Sequence, residues 1–62
     1  MNATSLIQIA ESFANGNSSA LFCINQAKTL LVVDSKSAHF WAIRSLKYSV
    51  GISHPVFKSI QS

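Results

Sequence analysis

The sequence matches part of itself when it is shifted by 35 residues. Five of the 27 overlapping positions are then identical. The identical pairs are Ala3 and Ala38, Gly16 and Gly51, Ser18 and Ser53, Phe22 and Phe57, and Gln26 and Gln61. An internal period of 20 to 50 residues is typical of stacked helical hairpins, so the sequence predicts a repeated pair of helices.

Apolar spacing predicts the first helix over residues 4–14. Its stripe has the i, i+3, i+4, i+7 spacing of an amphipathic helix and comprises Leu6, Ile9, Ala10 and Phe13. Thr4 or Ser5 would cap its start. Residues 15–17 read Asn-Gly-Asn and predict a turn, because glycine and asparagine accept the left-handed backbone that ends a helix.

The second and third helices are apolar on most faces. Ser18 or Ser19 would cap the second, which carries Ala20, Leu21, Phe22, Cys23, Ile24, Ala27, Leu30 and Leu31. Residues 30–33 are rich enough in β-branched side chains to leave a strand open as an alternative. The polar segment 34–37 precedes a third helix with Phe40, Trp41, Ile43, Leu46, Tyr48 and Val50. We expect these two helices to be innermost.

A fourth, short helix completes the predicted fold. Gly51 would end the third helix, Ser53 would cap the fourth, and Pro55 would stand in its first turn. We therefore predict an all-α fold in which residues 1–62 form a single helical domain. Its four short helices would form two antiparallel hairpins, over residues 4–34 and 36–61.

A chain of 62 residues cannot hide much apolar surface by itself. Domains of this size bury only about 60% of the surface that the unfolded chain exposes. Yet 48% of the residues are hydrophobic and 11% are charged, against about 25% charged in ordinary domains. The single cysteine, Cys23, rules out an internal disulfide. The sequence thus predicts a homodimer or a complex with a partner protein.

The spacing and composition of the residues do not indicate catalysis, a metal site or a membrane span. Cys23, His39 and His54 do not have the spacing of a metal site, and we expect no cofactor. The many serines lie at turns, so they indicate neither an enzyme nor a small-molecule substrate site. No apolar run approaches the ~20 residues of a membrane span. Because no export segment is visible, we expect a cytoplasmic protein.

Charge divides the chain into unequal halves. Residues 1–35 carry Lys28 against Glu11 and Asp34, a net charge of −1. Residues 36–62 carry four cations and no acid, a net charge of +4. Any anionic partner should therefore meet the second half of the chain.

The spacing within each unit resembles the tetratricopeptide repeat. Trp41, Ser45 and Tyr48 take the tryptophan, small-residue and tyrosine places of that pattern, and the first unit repeats them with Leu6, Ala10 and Phe13. Ala20, Ile24 and Ala27 fit its second-helix positions. The resemblance implies protein binding, because such hairpins stack and present a groove to a peptide or helix.

A second resemblance is to the small regulators of enteric bacteria that antagonise AraC-type activators. The residues that carry it are Ala10-Glu11, Gly16, Ala20, Phe22, Ala27, Trp41-Ala42 and Arg44. This resemblance implies a small regulator that binds a transcription activator.

Residues 43–60 are similar to a helix-turn-helix DNA-binding segment. Its core, turn and cap positions would be Leu46, Val50, Gly51, Ile52, Ser53, Phe57 and Ile60. The likeness implies base contacts from Ser53, His54, Lys58 and Gln61, with Lys36 and Arg44 on phosphates. A transcriptional regulator that binds nucleic acid is therefore the alternative function.

The function that we favour from the sequence is a non-catalytic adaptor, chaperone-like subunit or regulator. It would bind its partner through Phe40, Trp41 and Tyr48 of the third helix, since large aromatic side chains dominate interface energetics. Arg44 and Lys47 would set orientation and charge complementarity.

Overall fold

Four α-helices make up the fold. The computed structural model describes residues 2–61, apart from the side chain of Gln61. The helices are α1 (Ala3–Phe13), α2 (Ser18–Leu30), α3 (Ser35–Ser49) and α4 (Val56–Gln61). No strand occurs within residues 2–61, which confirms the all-α prediction. Residues 31–33 form a turn after α2, so the strand alternative for residues 30–33 is wrong.

Short polar side chains begin the first three helices. Asn2 accepts a hydrogen bond from the Ser5 N–H at 2.8 Å, and Asn17 accepts one from the Ala20 N–H at 3.0 Å. Asp34 accepts from two N–H groups in the first turn of α3. Each cap has extended backbone and satisfies N–H groups that have no partner inside the helix.

The caps proposed for α1 and α2 are therefore wrong. Thr4 and Ser5 already lie inside α1, and Ser18 and Ser19 lie inside α2. In each case an asparagine just before the helix takes the N-cap position. Asparagine and serine cap about equally well, so composition could not choose between neighbouring candidates.

The two glycines of the internal repeat occupy equivalent turns. Gly16 follows α1 with φ of +80°, and Gly51 follows α3 with φ of +85°. A side chain at either position would strain the backbone, because this left-handed region favours glycine. The 35-residue repeat thus describes the ends of α1 and α3 well.

Helix α3 lies at the centre of the structure. It packs most extensively along α2 and next along α1, whereas α1 and α2 make few contacts with each other. Each of the three helices buries four residues, several of them alanine or serine. The buried side chains of α3 are Ala38, Ala42, Ser45 and Leu46. Small residues let the helices approach closely, and the Ser45 hydroxyl donates to the Ala20 carbonyl at 2.9 Å.

The two halves of the chain do not fold alike. Helix α2 has 13 residues and α4 has six, and α4 does not pack along α3 as α2 does. The repeat partners Phe22 and Phe57 also differ, since Phe22 is exposed and Phe57 is buried in the core. The arrangement of two equivalent hairpins is therefore not confirmed, and of the two helices expected to be innermost only α3 is central.

Candidate functional site

Helix α3 carries a second stripe, on the side away from its buried one. The side chains of Phe40, Arg44, Lys47 and Tyr48 follow the i, i+4, i+7, i+8 spacing of one helix face. All four are exposed, and the partly buried Trp41 lies at the edge of the stripe that faces α2. The five residues predicted to bind a partner are thus side by side.

Trp41 joins two phenylalanines into an aromatic cluster. Its ring meets Phe22 of α2 at 6.2 Å between centroids and Phe40 of α3 at 5.8 Å, both edge to face. Such contacts hold the rings in defined orientations. Phe22 and Phe40 nevertheless remain 56% exposed each, so large apolar surfaces face solvent beside an ordered tryptophan.

Arg44 is held between two rings of the same helix. Its guanidinium carbon lies 5.6 Å from the Trp41 ring centroid and 5.9 Å from that of Tyr48. Both distances fall within the range of cation–π attraction, which is worth about 0.5–1 kcal/mol at exposed sites. The rings therefore restrict the guanidinium before any partner arrives.

Two adjoining hollows flank this arginine. The first, of about 320 Å³, lies between α2 and α3, and the second, of about 260 Å³, lies on α3 itself. Phe22 and Trp41 line the first, Phe40 and Lys47 line the second, and Arg44 and Tyr48 line both. We call this surface the aromatic–cationic face; it comprises Phe22, Phe40, Trp41, Arg44, Lys47 and Tyr48.

A hydrogen bond joins α2 and α3 beside the first hollow. Ser18, Ser19 and the buried thiol of Cys23 complete its lining. Asn17 donates from Nδ2 to the Tyr48 carbonyl at 2.9 Å, which fixes the start of α2 against the end of α3. The hollow is therefore framed by two helices that are tied together at this end.

Neither acid of the sequence belongs to this face. Glu11 pairs with Lys28 across α1 and α2 at 2.7 Å. Asp34 caps α3, where hydrogen bonds from the hydroxyl and the N–H of Ser37 hold the pKa of that carboxyl below its ordinary value of 3.8. Among residues 2–61 the salt bridge of Glu11 is the only one, so Arg44 and Lys47 have no carboxylate partner there.

The residues predicted to contact nucleic acid are spread over the molecule. Lys36 stands in the first turn of α3, eight residues or about 12 Å along the axis from Arg44. Ser53 and Lys58 are exposed, and the side chain of Gln61 lies outside the described residues. His54 serves the fold, because its ring meets Phe13 at 5.3 Å and its Nδ1 accepts from the Val56 N–H.

The helix-turn-helix segment also departs from the geometry of that motif. Six residues, 50–55, separate α3 from α4, and α4 itself has six, whereas the motif has a turn of about three or four residues. Ile52, one of the apolar residues that carry the likeness, is 73% exposed. Leu46 and Phe57 are buried as the pattern requires.

Sequence reasoning missed the contribution of α2 to the site. Phe22 was assigned to a helix that is apolar all round, with no indication of which side faces solvent. Its repeat partner Phe57 is buried, so the internal repeat does not indicate that Phe22 is exposed. The contact between Phe22 and Trp41 depends on how α2 and α3 cross, which the spacing along either helix does not encode.

Neither a cluster of metal ligands nor a membrane-spanning helix is present among the described residues. No three histidine, cysteine, aspartate or glutamate side chains within residues 2–61 come together as metal ligands. Of the four helices described, none combines the length and the apolarity needed to cross a bilayer. The chain matches no known protein family, no curated protein and no solved structure at a significant level.

Proposed function

We propose that this protein is a small, non-catalytic protein-binding module whose binding surface is the aromatic–cationic face. The observation that carries the proposal is the exposure of a cluster of contacting aromatic rings around an arginine in a chain of only 62 residues. Tryptophan, tyrosine and arginine are the residues that most often dominate binding energy at protein interfaces. The face contains all three within one turn or two of α3.

Two features support a protein as the occupant. Both hollows are open, and each combines aromatic rings with polar or charged side chains in its lining, which fits side chains of a peptide or helix that lies across α2 and α3. Arg44 and Lys47 border the rings, as cations often border an apolar interface and set its orientation. The occupant would be a second copy of the chain or another protein.

The proposal agrees with two of the resemblances in the sequence. Tetratricopeptide-like hairpins and the antagonists of AraC-type activators both act by binding proteins. We therefore propose an adaptor, chaperone-like subunit or regulator that works in the cytoplasm. No catalytic role is assigned to any residue.

The experiment is affinity capture followed by mass spectrometry, with the purified chain as bait. We expect a partner that Phe40→Ala and Trp41→Ala lose and that Ile52→Ala keeps. Ile52 is the matched control because it is an exposed apolar side chain outside the face. Circular dichroism would establish that each variant is helical. Capture that Phe40→Ala and Trp41→Ala leave unchanged would contradict the proposal.

The uneven charge favours nucleic-acid binding as a second candidate. Lys36, Arg44, Lys47 and Lys58 are exposed and face no acid in the second half of the chain. A mobility-shift titration tests this candidate. Affinity that falls steeply with salt and that Lys58→Ala weakens would support it, because each neutralised phosphate releases counterions. Absence of binding at low salt would remove it.

A further inference from the structure

We infer that the aromatic–cationic face receives an acidic, amphipathic segment of a different protein, and that a second copy of this chain does not occupy it. This inference rests on the proposed function and narrows it to one class of partner. It follows from which of the few charged side chains have an oppositely charged or hydrogen-bonding partner and which do not.

The face presents two cations whose charge nothing in the described structure neutralises. Arg44 and Lys47 lie one helical turn apart on the exposed side of α3. Within residues 2–61 neither has a carboxylate within ion-pair distance, and the Arg44 guanidinium has only ring faces as close partners. The edge of a guanidinium can still donate two parallel hydrogen bonds to one carboxylate.

Both acidic side chains of a second copy are already engaged within its own fold. The sequence contains two acidic residues. Glu11 is paired with Lys28 on the α1–α2 side, and Asp34 uses its oxygens to cap α3. In a two-fold dimer the same patch meets itself, so Arg44 and Lys47 of both copies would be brought together. Like charges opposed in an apolar interface are unfavourable, which argues against a homodimer through this face.

The shape of the face indicates the order of side chains in the partner. The two hollows lie on either side of Arg44, which both share. A bulky apolar side chain would lie in the first hollow against Phe22 and Trp41, and another would lie in the second against Phe40 and Tyr48. A carboxylate between them would reach Arg44, and a second would reach Lys47. The partner segment is therefore apolar and acidic in alternation, as on one face of an amphipathic helix.

Selection from a displayed library of random 16-residue peptides tests this inference without knowledge of the natural partner. The purified chain is the bait, and fluorescence of Trp41, the only tryptophan in the sequence, reports binding of tryptophan-free synthetic versions. We expect the enriched peptides to combine net negative charge with bulky apolar residues. We also expect their affinity to fall at least tenfold in Arg44→Gln/Lys47→Gln.

Lys36→Gln/Lys58→Gln is the matched control, because it also removes two positive charges and both residues are exposed outside the face. It should change peptide affinity less than twofold. Enriched peptides that are neutral or basic, yet lose binding in Phe40→Ala, would overturn the inference and leave the proposed function standing. No enrichment at all would count against both.

The other possible occupants give distinct results. Sedimentation velocity that shows a dimer dissociated by Phe40→Ala would identify a second copy as the occupant and overturn the inference. So would binding of phosphatidylserine vesicles or an oligonucleotide through Arg44 and Lys47 when no acidic peptide binds. Persistence of peptide binding in Arg44→Gln/Lys47→Gln would show that charge does not select the partner, which also overturns it.

Discussion

Asn17 shows how much one side chain contributes in a domain this small. Its Oδ1 caps α2 by accepting from the Ala20 N–H, and its Nδ2 donates to the Tyr48 carbonyl at the end of α3. One amide thus begins a helix and fastens it to the central one. The same contact frames the hollow beside Trp41, so stability and the shape of the candidate site depend on the same residue.

Asn17→Ala should lower the free energy of unfolding by about 1–2 kcal/mol, since it removes both a helix cap and an interhelical hydrogen bond. Urea denaturation measures the change. Asn17→Ser is the matched control, because it keeps a capping oxygen and is too short to donate to the Tyr48 carbonyl. It should lose less stability than Asn17→Ala. Equal stability of Asn17→Ala and the native chain would refute this role.

The lowered pKa of Asp34 predicts how the stability of the fold depends on pH. Its pKa in the folded chain lies below the ordinary value of 3.8, chiefly because the Ser37 hydroxyl donates to it. The unfolded chain therefore binds more protons, and the stabilisation is present above pH 3.8 and lost as the pH falls through the lower folded value. Asp34→Asn keeps the cap and does not titrate, so its thermal midpoint should fall less between pH 5 and pH 2. Parallel acid losses in both proteins would contradict this prediction.

At the scale of elements, the contact between α2 and α3 depends on small residues. Ala20, Ala27, Ala42 and Ser45 are fully buried, and the Ser45 hydroxyl donates to the Ala20 carbonyl between the helices. The crossing of α2 and α3 buries these small side chains completely, so a larger side chain at one of these positions would have to displace its neighbours. It also places Phe22 of α2 against Trp41 of α3, so the packing of the core positions the candidate site.

Substitutions at Ser45 should distinguish lost hydrogen bonding from overpacking. Ser45→Ala removes one buried hydrogen bond and should cost about 1 kcal/mol. Ser45→Val also forces a branched side chain between the helices and should cost about 1–3 kcal/mol more. Chemical denaturation gives both values, and near-ultraviolet circular dichroism of Trp41 reports whether the cluster is disturbed. A Ser45→Val protein as stable as Ser45→Ala would disprove the close packing.

At the scale of the molecule, the fold leaves much apolar surface in water. Val32 and Val33 in the turn after α2 are exposed, as are the aromatic rings of the face. A chain of this size has little stability to spare, because folding free energies amount to roughly 0.05–0.15 kcal/mol per residue. A bound partner would therefore contribute a large share of the total stability.

Partner binding should raise stability by mass action. An acidic peptide at 100 times its dissociation constant should add about 2.7 kcal/mol to the free energy of unfolding. Differential scanning fluorimetry would show this as an increase in the melting temperature. Arg44→Gln/Lys47→Gln should show little increase at the same peptide concentration, whereas Lys36→Gln/Lys58→Gln should respond like the native chain. An equal shift in all three proteins would mean that the peptide binds elsewhere.

Much of the fold and part of the site could be predicted from the sequence. Residue type alone pointed to Phe40, Arg44, Lys47 and Tyr48 of the third helix, and in the structure these four side chains lie on one exposed face of α3. The turn at Gly16 and the end of α3 before Gly51 followed from glycine chemistry. The caps were misplaced because neighbouring serine and asparagine have similar capping strength.

Local features follow from the sequence alone: four helices, and the glycine turns that end α1 and α3. Periodicity encodes these features because each depends on residues three to eight positions apart. Other features depend on how the helices pack together. Phe57 is buried, whereas Phe22 completes the aromatic–cationic face, and α4 does not repeat α2. Those outcomes depend on contacts between side chains of different helices, which the spacing of residues along one helix does not encode.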